Sequence, residues 1–565
     1  MYILGISAFQ SDSSAALLKD GRLIGAIEEE KIVSRKHTGE FPASAIEYLL
    51  KTENIGIEEI GHIAFFWDPF LGLHHRMLSI LKNMPSSLAF FSSHSGIWSS
   101  MVFVNNMIKK AFNLKKQTYK FHYINHHLAH VASSYFLSDF KESAILTVDG
   151  SGEWTNTGMY HARASDILRI KEFSYPNSLG YLYASVTQYL GFKPNSGEGK
   201  VMGLSSYGKP AYLDKFRQIV KLCPEGEYKL DLSYFDYYRN AAHVNNDKLW
   251  VSEKFIDEFG PMRMPESSIE ERHEAIAASL QCVLNEAMLH MASYLYSVAK
   301  SENLCVAGGV ALNSVANGYV LKNSKFKNIF IQPAAGDGGG SVGAALYMHN
   351  CILKKPRVFS NEVIFLGPAF TGEEILKEVK AHNLPYRHVD PTAEGARLLA
   401  DGKIIGWFQG RMEFGPRALG HRSIIADPRR PEMKDIVNLK VKHREPFRPF
   451  APSILEEKLT EYFDHDYPSP VMLLVYDVLP DKRDAIPAVT HVDGTGRVQT
   501  VSRKECPVYY DLINNFYKNT GVPVILNTSF NVRGKPIVCT PKQAIDCFLS
   551  TRMDYLIMGD ILVWK

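Results

Sequence analysis

Two stretches of this chain share one order of elements, and that duplication limits the fold more than any other feature. Tyr2 to Ile6 is apolar, Ser7 to Ser14 is small and polar, Ala15 to Leu18 is apolar again, Lys19-Asp20-Gly21 reads as a turn, and Arg22 to Ile27 follows as a further strand. The order returns at Ser143 to Tyr160, with a buried strand, a loop of Asp149, Gly150, Ser151 and Gly152, and a second strand. A third signal, Leu304 to Asn313, is a short apolar strand running into Gly308-Gly309. It follows a segment whose Ile276, Leu280, Val283, Leu284 and Ala287 share one helical face. Paired small-residue loops with a Gly-Gly element form the pattern of a two-lobed ATP-binding fold, because bulky side chains would hold phosphates away from the backbone donors. The Walker-type G-x-x-x-x-G-K-[ST] sequence is absent.

The 565 residues give room for about two to four domains. Lys+Arg 63 against Asp+Glu 60 leaves a net charge of +3, so the surface as a whole is no polyanion binder and no nucleic-acid partner is expected. The seven cysteines are scattered without a C-x-x-C pair, which predicts reduced thiols rather than a zinc finger or a disulfide framework. The N-terminus lacks the basic start and apolar run of a signal peptide, and a cytoplasmic location is expected. Leu71 to Phe112 is apolar and Ser-rich, but Lys82, Asn83, Pro85, His94 and Asn105 interrupt it. Helices of a substrate-facing insertion are therefore predicted there, not a membrane span. The predicted division is a first domain over 1–350, a linker over 351–390 and a second domain over 391–565. Thr392 to Trp407 reads as a helix followed by a strand, and Thr490 to Val501 as a loop.

Three constellations carry chemistry. His126 and His130 stand four residues apart in NHHLAH, the spacing that puts two imidazoles on one helical face where they can grip one metal; a core or surface histidine pair has the same spacing. Asp337, among the glycines of GDGGGSVGAA, is the candidate third ligand, beside a turn-forming reading of the same loop. Arg411, Arg417, Arg422, Arg429, Arg430, Lys434, Lys440, Lys442, Arg444 and Arg448 alternate with Phe414, Pro416, Phe447, Pro449 and Phe450. Guanidinium groups held among prolines and aromatics suit bidentate phosphate capture better than a solvated face does.

Together with DSSAALLKDG, EEEKIVSRKH, VDGSGE, EGKVMGLSSYGKP, AGGVALNSVANG, MEFGPRALGHRSIIADPR, VKHREPFRPFAPSIL, HVDGTGRVQTV and NTSFNVRGKPIV, these segments resemble the O-carbamoyltransferase family of nodulation-factor, cephamycin and tobramycin carbamoyltransferases, in family order over nearly the whole chain. The resemblance implies an α/β protein: a two-lobed actin/Hsp70-like ATPase domain, of the type used in tRNA threonylcarbamoyladenosine synthesis, followed by a YrdC-like α/β domain. It implies that carbamoyl phosphate and ATP give carbamoyl-adenylate in the second domain, and that the first passes the carbamoyl group to a hydroxyl of a small-molecule acceptor, a sugar or secondary metabolite. Carried over by motif, Arg417, Lys442, Arg448, Arg497 and Asn527 hold carbamoyl phosphate and ATP, which arrives with Mg2+. Asp149, Gly150, Gly308, Gly309 and Asn313 surround the adenylate; His126, His130 and Asp337 bind a divalent metal, iron(II) foremost. Asp12 and Lys36 fall at the transfer site. The chain departs from the family at Ser11-Asp12, where His-Asp is usual, so Asp12 or another residue must take the acceptor's proton. A macromolecular acceptor, or a nucleotide-binding regulator without transfer activity, stays open, as does a homodimer.

Overall fold

The computed structural model describes residues 1–82, 87–239, 248–359 and 362–565. The chain divides into two compact units, one of residues 1–29 and 37–361, the other of 30–36 and 362–565.

The first unit holds the duplication as two five-stranded sheets. The first is built from β1 (Tyr2–Ser7), β2 (Ser14–Lys19), β3 (Arg22–Glu28), β4 (Ile60–Phe65) and β5 (Lys120–Tyr123), in the order β3-β2-β1-β4-β5. The second takes β6 (Glu142–Val148), β7 (Thr155–Arg163) and β8 (Asp166–Ser174). After a small hairpin of β9 (Val220–Cys223) and β10 (Glu227–Leu230), it is completed by β11 (Asn303–Ala307) and β12 (Asn328–Ile331), in the order β12-β11-β6-β7-β8. In each sheet an antiparallel meander of three strands is extended by two parallel strands from its first member. The sequence echo between Tyr2–Ile27 and Ser143–Tyr160 is thus a repeat of topology. β1 and β6 are almost wholly buried, which is why both carry apolar runs, Tyr2 to Ile6 and Ala144 to Leu146.

Two helices fill the interior. His126–Tyr135 packs on β6 and β11, Gly340–Tyr347 packs on β1 and β2, and the two helices pack on each other. Their approach is close enough to require glycine: a Cβ on Gly343 would stand 1.8 Å from the Ala129 carbonyl oxygen, and one on Gly5 would stand 1.9 Å from that of Ser341. The face read from Ile276 to Ala287 is buried on the helix Glu271–Ala299. The stretch from Leu71 to Phe112 forms the helices Leu73–Lys82, Ser87–Val102 and Val104–Ala111. Asn83 and Pro85 lie outside the described residues, and among those described no helix is long and apolar enough to cross a membrane.

The second unit is a nine-stranded mixed sheet. Its strands are β13 (Tyr386–His388), β14 (Ile405–Phe408), β15 (Arg422–Ala426), β16 (Ala451–Leu455), β17 (Leu474–Asp477), β18 (Thr495–Val501), β19 (Val524–Ser529), β20 (Tyr555–Met558) and β21 (Ile561–Val563). They lie in the order β13-β21-β20-β14-β15-β19-β16-β18-β17. The helix Pro391–Ala400 precedes β14 as read, and its partner Pro507–Thr520 closes a core around Trp407, Tyr509, Ile513 and Ile557. Two features differ from the sequence reading. The stretch read as a linker carries the helix Gly372–Ala381, with a capping box at Thr371, and β13, which pairs with β21. Thr495–Val501 is a strand rather than a loop: it pairs with β16 and β17, and Val498 on one face and Val501 on the other are both buried.

Replacing Gly343 by Ala forces the two interior helices apart. Urea unfolding of that variant is expected to show a loss of about 1–3 kcal/mol, with a larger loss for Val.

Candidate metal centre and arginine cluster

The helix His126–Tyr135 begins at Asn125, whose side chain accepts the Leu128 N–H and caps it. Glu153, buried at the end of the loop after β6, accepts the N–H of His126 at 2.8 Å, the N–H of Asp68 at 2.9 Å and the Asn125 amide at 3.1 Å. That carboxylate fixes where the helix starts and therefore where its histidines point. His126 and His130, one turn apart, bring their Nε2 atoms to 3.1 Å from each other. Asp149 Oδ2 lies 2.8 Å from His130 Nε2 and 3.4 Å from that of His126, and Asp337 Oδ1 lies 3.8 Å from His126 Nε2. One ligand atom from each of these four residues falls within 4.8 Å of the others. His127 points elsewhere: its ring nitrogens meet Thr147 Oγ1 and the Thr155 carbonyl, which makes it a core histidine.

The donor set fits a divalent cation. Two converging imidazole nitrogens and two carboxylates share one largely buried space, the donor types that a divalent cation takes. Burial, then the neighbouring His130, pushes His126 down to about 4. Burial, with the carboxylates of Asp149 and Asp12, pushes Asp337 well above the usual carboxylate range. Burial would raise Asp149 too, but the hydrogen bonds to His126 and His130 outweigh it and hold it well below. Asp149 thus stands in the histidine-aspartate cluster, where the sequence reading set it beside the adenylate.

The rest of the first-unit set surrounds this cluster. The Asp149 Oδ1 accepts the Gly150 N–H at 2.7 Å, and a Cβ on Gly309 would stand 3.1 Å from the same oxygen. Gly308, at φ +96°, leaves no room for a side chain: its Cβ would lie 2.2 Å from the Val148 carbonyl. Asn313 caps the helix Ser314–Asn323 and exchanges amide hydrogen bonds with Gln281 at 3.0 and 3.1 Å, so its role is to hold that helix in place. The Ser11 N–H donates to Asp337 at 3.1 Å, and Asp12, the next residue, lies 3.0 Å from His37 Nδ1. His37 is the residue the sequence reading left unnamed; its signal was its place in SRKH, beside Lys36.

In the second unit, Arg417, Arg444, Arg448 and Arg497 converge. Burial and Arg448 push Arg417 down to about 10; burial, Arg417, Arg444 and Arg448 push Arg497 well below its usual value. Burial and Arg448 do the same to Arg444, and burial with Arg533 to Arg448. The carboxylate acting on this group is that of Glu445. Like charges brought together while half-buried favour an anion among them. The Arg417 and Arg497 Nε atoms are buried and lack partners, and Asn527 keeps its Oδ1 unbonded while its amide donates to Ala418 O and Gln499. Arg444, stacked 4.5 Å from the Phe450 ring centre, is a member that the basic run contained but motif matching did not single out. Lys442 differs: its ammonium is held at 2.7 Å by Ser529 O, 2.8 Å by Asn531 O and 2.5 Å by Asn531 Oδ1, which ties the loop after β19. Lys36 belongs to the segment 30–36 of this unit, where its charge helps to lower Lys442, after burial, Arg444 and Arg448.

A histidine-aspartate set that could hold a metal lies on the duplicated α/β unit, and a half-buried arginine cluster lies on the second. The family model described as the carbamoyltransferase N-terminus matches residues 2–346, and that of the carbamoyltransferase C-terminus matches 396–565. The chain belongs to the carbamoyltransferase family. It is 42% identical to an uncharacterized Synechocystis protein over 100% of this chain and 97% of that one. It is 35% identical to the nodulation protein NolNO of Sinorhizobium fredii over 99% and 80%, and 29% identical to nodulation protein U of Rhizobium tropici over 100% and 96%. Among solved structures, a HypF of T. kodakarensis aligns at 14% identity and TM-score 0.33 over 61% of this chain and 47% of that one, a likeness too slight to bear on fold or chemistry.

Pyrophosphate is expected to raise the melting temperature of the protein, and by much less in Arg497→Ala, whose own stability without ligand equals or exceeds that of the parent because one half-buried like charge is gone. His130→Ala and Asp149→Asn should each lose bound metal at equilibrium dialysis, read by elemental analysis, while His127→Gln keeps it at reduced stability.

Proposed function

We propose that the enzyme makes carbamoyl-adenylate in its second unit and transfers the carbamoyl group to the hydroxyl of a small molecule in its first. The observation that carries this reading is the arginine cluster, four half-buried guanidinium groups that lower one another, with Glu445 the carboxylate among the described residues that opposes this. In the proposed sequence, water takes the phosphate from carbamoyl phosphate, and the resulting carbamate attacks the α-phosphorus of ATP. A P–O bond to carbamate forms as the bond to pyrophosphate breaks. Arg417, Arg444, Arg448 and Arg497 bind the phosphates and neutralise the charge that develops on the leaving pyrophosphate. Asn527 offers its Oδ1 to the carbamoyl N–H, and Lys442 keeps the loop in shape.

In the first unit the duplicated sheets support an actin/Hsp70-like assignment, and the mixed sheet of the second is assigned as YrdC-like. Gly150, Gly308 and Gly309 admit the adenylate to the backbone. A divalent metal on His126, His130, Asp149 and Asp337, iron(II) in this reading, supplies a Lewis acid that polarises the adenylate's oxygens. The acceptor's oxygen attacks the carbamoyl carbon and AMP leaves. In this reading the hydroxyl proton goes to His37, whose Nδ1 lies 3.0 Å from Asp12, so that the pair stands as base and orienter in place of the histidine absent at Ser11. Lys36 adds positive charge in the second unit. The seven free thiols suit a reducing, cytoplasmic setting.

The deciding experiment is carbamoyl-phosphate-dependent pyrophosphate release from Mg2+-ATP by the purified protein supplied with iron(II). Release is expected, with Arg417→Ala lowering it at least a hundredfold and His130→Ala leaving it within about twofold while blocking transfer. A nucleotide-binding regulator would release none, and equal loss in both variants would overturn the division of labour between the units.

A further inference from the structure

Thr495, Arg497 and Gln499 stand two residues apart on β18 and form a row along one of its faces. Gln499, at one end, accepts the Asn527 amide at 2.9 Å. Arg497, in the middle, belongs to the arginine cluster. Thr495, at the other end, meets a side chain that the carbamoyl-adenylate reading leaves idle: its Oγ1 lies 3.1 Å from His491 Nδ1. A tight turn holds that ring. The His491 N–H donates to the Thr495 carbonyl at 2.8 Å and the Gly494 N–H to the His491 carbonyl at 2.9 Å. Asp493 accepts both the N–H and the hydroxyl of Thr495, at 3.0 and 2.8 Å. The single hydrogen of that hydroxyl goes to Asp493, so its oxygen is left to accept from Nδ1–H, and the imidazole lone pair falls on Nε2. That Nε2 is buried and has no hydrogen-bond partner. Burial pushes His491 down to about 4, with Arg497 and Lys434 adding to the fall and Asp493 and the Phe450 carbonyl opposing it, so the ring is neutral at physiological pH.

Resting on the carbamoyl-adenylate reading above, we infer that His491 is the base that takes the proton from the water that cleaves carbamoyl phosphate, and that this water attacks phosphorus rather than carbon. In that reading Asn527 holds the carbamoyl group and the arginines hold the phosphate. The row on β18 then sets His491 beyond the phosphate, on the side away from the carbamoyl group. A nucleophile must stand there to displace carbamate in line. The water oxygen bonds to phosphorus as the bond from phosphorus to the carbamate oxygen breaks. One water proton passes to Nε2 and the other stays on the phosphate, so the products are carbamate and hydrogen phosphate; the imidazolium then gives its proton to solvent. The substrate's negative charge offsets the cations that depress the ring, and His491 becomes a better base when the substrate is bound.

Two reactions of the full protein with Mg2+-ATP test this. With carbamoyl phosphate, His491→Asn, which keeps an N–H for Thr495 but has no basic nitrogen, should lower enzyme-dependent phosphate release at least a hundredfold. Carbamate supplied directly, as equilibrated bicarbonate and ammonia, bypasses that step, and the same variant should then release pyrophosphate within about twofold of the parent. A ring that only braced the turn would lose both reactions. Added imidazole should raise phosphate release by His491→Gly at least tenfold. In water enriched in heavy oxygen, mass spectrometry should find one labelled atom in the phosphate released by the parent. Circular dichroism monitors the fold of each variant. Undiminished phosphate release in His491→Asn, loss of its carbamate-driven reaction, or unlabelled phosphate overturns the inference while pyrophosphate release by the parent leaves the adenylate reading standing. A parent that releases no pyrophosphate from either donor removes that reading, and the inference falls with it.

Discussion

The first unit's site depends on one buried carboxylate. Glu153 gathers the N–H groups of His126 and Asp68 and the amide of Asn125, and so joins the end of the loop after β6, the chain beyond β4 and the start of the central helix. A helix N-terminus favours a negative group, and here that group is also the hinge on which two ring nitrogens are aimed. Were the helix to start half a turn later, His126 and His130 would face a sheet instead of Asp149 and Asp337. Gly343 sets the same helix from the other side, because the Ala129 carbonyl fills the space where a side chain would go.

The two units meet opposite electrostatic demands by the same device. In one, carboxylates and imidazoles are brought together as a cation site requires; in the other, guanidinium groups are brought together as an anion site requires. Burial makes both arrangements costly in the absence of ligand and selective in its presence. The charge balance of the whole chain, +3, hides this, since the local excesses are of opposite sign.

The fold was legible where local sequence and topology coincide. The repeated strand–loop–strand pattern foretold paired sheets, and the spacing of His126 and His130 foretold a shared helical face, because both follow from periodicity alone. The arginine run could be seen as dense but not as convergent: Arg497 comes from β18, read as loop because TGR opens like a turn, and it reaches Arg417 only through the sheet order. Glu153 and His37 gave little signal. A carboxylate that accepts backbone N–H groups looks like any surface acid, and His37 acquires meaning only when the fold sets Asp12 against it. Asp149 was assigned by motif to the nucleotide, and its distance to two histidines could not be read from a single strand-loop.

The segment 30–36 folds with the second unit although the sequence on both sides of it folds with the first. Within the second unit Gln543 donates its amide to the carbonyls of Lys31 and Ile32, and Lys31 pairs with Glu30 at 2.8 Å while almost fully buried. The chain therefore passes from one unit to the other three times rather than once. A gene cut at the obvious boundary, near residue 361, would yield a C-terminal product missing one of its own structural elements and an N-terminal product carrying that element with nothing to pack on. Such a protein resists being split into self-sufficient halves, and its two clusters are inherited together.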